Sequence, residues 1–559
     1  MAKRGASKQV SRREFVKGAA GVAGVAAVGA LASCVPLPAA TPTAVPTAAP
    51  KPWLPAKWDY EADVVVVGFG GAGGSAAIEA HDAGAKVIIL EKTPTPGGST
   101  TLCAGIYYGA GTSLQKAEGI TDTADEMYKY LAAIGRVGKG GRSDPERIRV
   151  WADKSAETFE WIKGLGATFY TGVNYIEQIP QIKPLAEDAG WALYYSGAEP
   201  DPEFAAITPP KVRGHVVRPV APTYPYPPKH PTAPTAVGIT RGTGWFKPLW
   251  EGAKARGIQV LLETRAMALV TDPLTNEVLG VKADSKGTTL YIKARRAVHL
   301  AAGGFSQNKE MTKIWCPEAQ GGVNFTASDT GDGIQMGMAI GASAVNMDRV
   351  LAPGPVRPSG SILVNYGGRR FDDETLHYGS KGLWTGQRNS IAFAILDEDI
   401  RKAAGVATTI QASTIGELAR QIRIDPAVLE DTVNFYNESV ALVKDREFGR
   451  RERDSQKHPP DEVVVPAARA MMPIKTPPFH AMRSDHNNFT GTITIGGLRI
   501  NTKAQVIDVY GKVIPRLYAA GSTTGGMLDI YVGSGHAISQ ALNFGRIAGK
   551  NAAAEMPWA

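Results

Sequence analysis

Residues 63–73, Asp-Val-Val-Val-Val-Gly-Phe-Gly-Gly-Ala-Gly, decide the fold. Asp63 to Val67 is a β-branched run of the kind buried on both faces of a parallel sheet. Gly68-Phe69-Gly70-Gly71-Ala72-Gly73 follows without a spacer, and GSAAIEAHDAG (74–84) then reads as a helix. A second strand, Lys86 to Leu90, ends in Glu91, 18 residues beyond Gly73. A lone Gly-x-Gly-x-x-Gly says little. Set between a strand and a helix, with an acid at this distance, it is the fingerprint of a dinucleotide site. Gly68 permits the tight turn, Gly70 lets the backbone approach a pyrophosphate, and Gly73 lets helix and strand pack closely. The helix N-terminus at Gly71 and Ala72 offers free N–H groups and about half a positive charge. Glu91, with Lys92 beside it, stands where a ribose needs hydrogen-bond acceptors.

The rest of the composition narrows the chemistry. The chain has 559 residues, 43% hydrophobic and 20% charged, which suits globular domains with sizeable cores. Of the net charge of +8, residues 1–33 supply five, with six Lys/Arg against one acid. The remainder is too weakly basic for a nucleic-acid binder. The cysteines are three, Cys34, Cys103 and Cys316, with no Cys-x-x-Cys pair. Zinc ribbons, thiolate-held iron–sulfur clusters and covalent haem therefore have no ligand set, no metal site is expected, and redox chemistry must rest on an organic cofactor. No second nucleotide fingerprint appears, so a separate nicotinamide site is not supported.

Before the body comes an address and a tether. Ser11-Arg12-Arg13-Glu14-Phe15-Val16-Lys17 precedes a short run of small apolar residues, so residues 1–33 resemble a twin-arginine signal peptide. Leu31-Ala32-Ser33-Cys34 resembles a lipobox, with Cys34 as the lipidated residue. Residues 34–56 are rich in Pro, Thr and Ala and form an extended spacer. The expected protein is exported to the periplasm or beyond and anchored to the membrane through lipid.

Further motifs lie downstream: Gly97-Gly98-Ser99-Thr100-Thr101, AVHLAAGGFSQNKEM (297–311), TGDGIQMGMAIGAS (330–343), ILVNYGGRRFDDE (362–374), GGLRI (496–500), IPRLYAAGSTTGG (514–526) and YVGSGHAISQALNFGRIAG (531–549). With these, nearly the whole body resembles the fumarate reductase/succinate dehydrogenase flavoprotein family. The resemblance implies an α/β fold: a discontinuous, glutathione-reductase-like Rossmann domain with a parallel sheet at 57–344 and 481–559, and an inserted α+β capping domain at 345–480. It implies FAD, held noncovalently, since no histidine is placed for a covalent link. Gly98, Ser99, Ala302, Gly303, Gly304, Gly521 and Ser522 are expected along the cofactor, with Asp332 near its ribityl chain. Gly535 to Ile538, including Ala537, should open a helix whose positive end faces the flavin N1/O2 edge. Ser522 stands where the family often has Glu. Residues 209–234, with nine prolines, read as a long irregular loop, either a lid or interaction surface or a solvated excursion.

At the catalytic positions the chain departs from the fumarate reducers. Where those carry the proton-donating arginine after Arg-Phe-x-x-Glu, Arg370-Phe371-Asp372-Asp373-Glu374 leads to Tyr378. The carboxylate-clamping Asn-Arg falls on Tyr531-Val532, and TGTITIGG (490–497) lacks the clamp histidine. The pattern is similar to the 3-ketosteroid dehydrogenase branch. Carried over, Tyr378 is the acid/base, Tyr531 donates to the substrate carbonyl, and the Gly535 N–H is its partner. Trp151 stands where that branch often has a further Tyr. Tyr107 and Tyr108 either line the flavin's far face or pack in the core; His215 either faces substrate or is structural; Cys103 either approaches the flavin or is a small buried residue, the latter reading being favoured. The leading expectation is hydrogen added or removed across a C–C bond beside a carbonyl, with electrons exchanged with a quinone or separate carrier protein. An unsaturated carboxylate, clamped by Arg241, Arg349, Arg357 or Arg369, is the alternative, and a noncatalytic flavoprotein the third.

Overall fold

The computed structural model describes residues 53–558 except 138–141, 175–191, 198, 200–201, 221–240, 318–326, 352–357, 359, 372–373, 375–386, 389–390, 443, 449–470 and 485–492. The elements that place the site are β1 (Tyr60–Val67), α1 (Gly71–Asp82), β2 (Val87–Leu90), β3 (Ile106–Tyr108), α2 (Pro145–Gly164), β4 (Gly214–Val216), β5 (Thr288–Leu300), β6 (Val513–Ala519) and α3 (His536–Ala554).

The valine run becomes the centre of an eight-stranded sheet. β1 pairs in parallel with β2 on one side and β5 on the other, and β5 pairs in parallel with β6. Val64, Val65 and Val66 are fully buried, as a strand covered on both faces requires. Gln259–Leu261 extends the parallel part beyond β2, while Thr264–Thr271 and Val278–Ser285 add antiparallel strands at β5. The fold is the mixed α/β architecture expected from the fingerprint.

α1 and α3 lie side by side in unusually close contact. A Cβ on Gly545 would strike the Ala72 carbonyl and the Ser75 hydroxyl, and one on Gly549 would strike the Ala76 carbonyl. These glycines are four residues apart and so share one helix face. Ser75 also turns its hydroxyl back to the Gly71 carbonyl, 2.7 Å, so it offers the neighbour no polar obstacle.

Residues 362–482 contain a second apolar core. Ile362–Asn365, Ala392–Leu396, Phe479–Ser484 and Ile410–Ala412 form an antiparallel sheet, in that spatial order, covered by the helices Ile415–Gln421 and Pro426–Ala441. Arg370 and Glu374 of the Arg-Phe-x-x-Glu motif are buried here as an ion pair at 2.8 Å, with Asp445 also 2.8 Å from Arg370.

Of the proline-rich stretch, residues 209–220 are described, and residues 221–234 lie outside the described residues. Its Gly214–Val216 is β4, which pairs antiparallel with β3 in a small four-stranded sheet. The pairing partner is more than a hundred residues away in sequence, so local composition could not reveal it. Among the described residues no helix is long and apolar enough to cross a membrane.

Gly→Ala in a helix ordinarily stabilises by about 1 kcal/mol. At Gly549 the sign reverses, because the methyl meets backbone that cannot move aside. Gly549→Ala is expected to lower stability by about 1–3 kcal/mol, read by denaturant unfolding of the holoprotein.

Candidate active site

A cavity of about 330 Å³ runs between the carboxyl ends of β1, β2 and β5 and the N-termini of α1 and α3. Of the predicted cofactor residues, its wall includes Gly68, Gly70, Gly71, Ala72, Glu91, Lys92, Gly98, Ser99, Ala302, Gly303, Asp332, Gly521, Ser522, Ala537 and Ile538, together with Tyr531 and Gly535. Gly73 and Gly304 do not border it. A Cβ on Gly73 would strike the Gly68 carbonyl, so its role is helix–strand packing; one on Gly304 would meet the Thr494 hydroxyl at 2.5 Å. Tyr378 and Arg357 lie outside the described residues, as does Cys34.

The charged end of the cavity is closed on itself. Lys92 Nζ donates to Asp332 at 2.9 Å and to the Thr330 hydroxyl at 2.6 Å, and Arg265 donates to Asp332 at 2.7 Å. Burial alone would raise the Asp332 carboxyl, but Arg265 and Lys92 hold it below its ordinary value. Asp332 thus belongs beside the Glu91 strand end, with two cations sharing its charge. Arg265 carries no recognisable motif and escaped the sequence reading. The Glu91 carboxylate accepts from the Phe69 N–H at 3.0 Å and the Thr93 N–H at 2.9 Å, which fixes the glycine loop against β2.

Among the described residues, the opposite end has no charged side chain in its wall. Gly535 has φ 90° and precedes α3; a Cβ there would sit 2.8–2.9 Å from the Tyr107 and Tyr108 backbone, so β3 and the start of α3 can approach only through glycine. Tyr531 borders the cavity there. Burial pushes its phenol above the ordinary value and neighbouring Cys103 adds to this, while the Ala537 N–H acts the other way. Cys103 lines the same wall, its thiol pushed up to about 12 by burial. Both groups therefore stay protonated at physiological pH.

Several candidates prove to be framework. The Tyr107 hydroxyl donates to the Ser155 carbonyl at 2.7 Å and that of Tyr108 to Glu199 at 2.9 Å, both in the core. His215 is buried between the Thr112 hydroxyl and the Arg213 carbonyl, each 2.8 Å away, and burial lowers its pKa to about 4. Trp151 donates to the Ser539 hydroxyl at 2.7 Å. Of the arginines offered as carboxylate clamps, Arg349 is tied to Asp529 at 2.7 Å and Arg369 to Thr432 at 3.3 Å. Arg241 lies over the Tyr170 ring, 5.9 Å from its centroid. None of these three borders the cavity.

The arrangement fits FAD. A glycine loop and the N-terminus of the twelve-residue α1 offer N–H groups to a pyrophosphate. Glu91 faces the ribose end, and the nineteen-residue α3 points its positive end at the far side of the cavity.

A model of the FAD binding domain family matches residues 63–538. A fumarate reductase (cytochrome) from Shewanella frigidimarina is 30% identical over 88% of this chain and 77% of its own length. Digoxin reductase from Eggerthella lenta is 29% identical over 99% of each chain. Among solved structures, 3-ketosteroid-Δ4-(5α)-dehydrogenase from Rhodococcus jostii RHA1, in complex with 4-androstene-3,17-dione, superposes with a TM-score of 0.73. It is 30% identical and covers 89% of this chain and 98% of its own. The chain belongs to the FAD binding domain family that includes the fumarate reductases, and it is an FAD-dependent oxidoreductase acting on carbon–carbon bonds.

The loop makes a separable test of cofactor binding. Gly70 has extended backbone, and the nearest atoms to an added Cβ are the Thr100 hydroxyl at 3.5 Å and the Gly97 carbonyl at 3.7 Å. Gly70→Val should therefore fold, with an unchanged circular dichroism spectrum, yet lose FAD occupancy at least tenfold (~1.4 kcal/mol), measured from flavin absorbance of the purified protein.

Proposed function

We propose that this oxidoreductase adds or removes hydrogen across a C–C bond beside a ketone or similar carbonyl. The observation that carries the reading is the charge distribution of the cavity. Among the described residues, the only Lys and Arg in its wall are Lys92 and Arg265, and both are paired with Asp332. Around Tyr531 the described wall holds hydroxyl, thiol, backbone and apolar groups. A dicarboxylate brought here would be buried without a counter-charge, a cost of several kcal/mol. A neutral carbonyl needs only donors. The likeness to a 3-ketosteroid dehydrogenase in complex with a steroid dione supports the same substrate chemistry.

Bound FAD supplies hydride exchange at its N5 atom. The chain's own groups then divide the remaining work. Tyr531 donates to the carbonyl oxygen, with the Gly535 N–H as second donor, so charge that develops on the oxygen meets preorganised dipoles. Tyr378 gives or takes the proton at carbon. Because the Tyr531 phenol is held above its ordinary value, it stays a donor throughout the neutral range.

We place this chemistry outside the cytoplasm. Arg12-Arg13 before a short apolar run supports twin-arginine export, and Cys34 at its end supports lipid attachment ahead of the Pro/Thr/Ala spacer. With no second nucleotide fingerprint, the electrons pass to or from a quinone or a separate carrier protein.

Anaerobically reduced holoprotein, mixed with cyclic enones or with fumarate, tests the substrate class. Enones should reoxidise the flavin at least tenfold faster (~1.4 kcal/mol), and Tyr531→Phe should slow that step by about 10²–10³-fold. Reoxidation by fumarate alone would refute the carbonyl reading. For location, Cys34→Ala should move the full-length protein from the membrane to the soluble fraction on cell fractionation. Unchanged membrane retention would remove the lipid anchor.

A further inference from the structure

His536 is the first residue of α3, and the sequence motifs give it no role. It is buried, 5% exposed. Its imidazole lies between two aromatic rings, the Trp151 indole at 5.0 Å and the Tyr531 phenol at 5.2 Å. Trp151 is itself fixed by its bond to Ser539, so the imidazole has little freedom to turn. Nδ1 has no hydrogen-bond partner among the described residues. Burial lowers the pKa to about 3, which leaves the ring uncharged at any physiological pH. A buried ring nitrogen without a partner is costly, by about 1–3 kcal/mol. The ring also borders a cavity from which a ligand group could offer it a hydrogen-bond partner.

The space beside the ring suits such a group. A small cavity of about 30 Å³ is lined by His536, Gln540, Thr524, Met527, Leu528 and Tyr531. It shares Tyr531, Ser522, Ala537 and Ile493 with the main cavity, so the two adjoin at the tyrosine. Its size matches one water-sized group. Among the described residues no Asp, Glu, Lys or Arg lines it. A neutral imidazole, a neutral amide and a neutral phenol can satisfy an uncharged oxygen from several directions, whereas a carboxylate would be desolvated with no counter-charge.

We propose that His536 contacts substrate and, with Tyr531 and Gln540, forms an uncharged polar notch that seats one neutral oxygen of the substrate and rejects carboxylates. This rests on the carbonyl reading of the same site. The notch makes the position after Gly535 a specificity determinant, with Trp151 as the positioning residue that holds the imidazole in register.

The test separates binding from turnover. Two dead-end probes that share a 4-ethylphenyl body, 4-ethylphenol and 4-ethylbenzoate, are titrated into oxidised holoprotein and followed by the flavin absorbance. Wild type should bind the phenol at least tenfold more tightly than the benzoate. His536→Phe keeps a ring between Trp151 and Tyr531 but removes the polar edge. It should retain FAD and weaken the phenol at least tenfold, with His536→Asn, which keeps a neutral donor, intermediate. Equal phenol binding by wild type and His536→Phe, or no preference of wild type for the phenol, overturns the notch. If His536→Phe fails to hold FAD, the His536→Asn and wild-type affinities decide: an unchanged value overturns the notch, and a weakened one supports it. Should wild type bind the phenol through His536 yet turn over no enone, the notch stands and the proposed function falls.

Discussion

The site depends on how closely two helices can approach. α1 and α3 meet backbone to backbone, with Gly545 and Gly549 against Ala72 and Ala76. This contact aims two helix N-termini into one cavity from two sides. Each terminus carries unpaired N–H groups and a partial positive charge. A dinucleotide needs such a field at its pyrophosphate, and a flavin gains from one at its pyrimidine edge. Larger side chains at these glycines would separate the helices, and the two fields would no longer converge. The sheet beneath provides the other half of the constraint. Parallel strands end together, so the loops after β1, β2 and β5 open onto the same crevice.

The turn that carries Tyr531 has little regular structure of its own and is held from the β3–β4 side. The Ser534 N–H donates to the Ser196 carbonyl at 3.0 Å, and Gly197 bridges Gly533. Gly197 is in turn held by Glu199, whose carboxylate accepts its N–H at 2.8 Å and the Tyr108 hydroxyl at 2.9 Å. Burial raises Glu199 to about 7, against the pull of Arg213. Arg213 itself is paired with Asp122 at 2.9 Å, both fully buried. A buried network of this kind is costly if any member is lost, and it fixes geometry because every partner is constrained. Tyr107, Tyr108 and His215 therefore serve the site from behind it.

What could be read in the sequence was what the backbone itself demands. The glycine loop of the fingerprint, Gly303 and Gly535 are positions where only certain residues permit the turn or the approach, and Gly68 to Ala72, Gly303 and Gly535 stand in the cavity wall with Glu91. Side-chain pairings across long sequence distances were not legible. Arg265 reaches Asp332 from 67 residues away, and β4 finds β3 across more than a hundred residues, out of a segment whose prolines suggested a loop. His536 was hidden for another reason. Its significance lies in the rings on either side of it, Trp151 and Tyr531, and only folding brings the first of these near. The arginines considered as clamps were plausible by charge alone; of these, Arg349 has an acidic partner, Arg369 a hydroxyl and Arg241 an aromatic ring, and none of the three borders the cavity.

The electrostatic plan follows from these placements. The cationic side chains of the described wall cluster beside Glu91, and there they are neutralised around Asp332. Toward Tyr531 the described wall turns to dipoles: a phenol, a thiol held protonated, backbone N–H groups and a neutral imidazole. Dipoles stabilise charge that appears during a reaction without demanding charge in the resting substrate. A guanidinium would do the reverse, since it must be paired before any reaction begins and so selects for an anion. On the proposed carbonyl reading, Tyr531-Val532, which the resemblance sets where the fumarate reducers carry their carboxylate-clamping Asn-Arg, is one change in physical terms: recognition of a polarisable oxygen in place of recognition of a fixed charge.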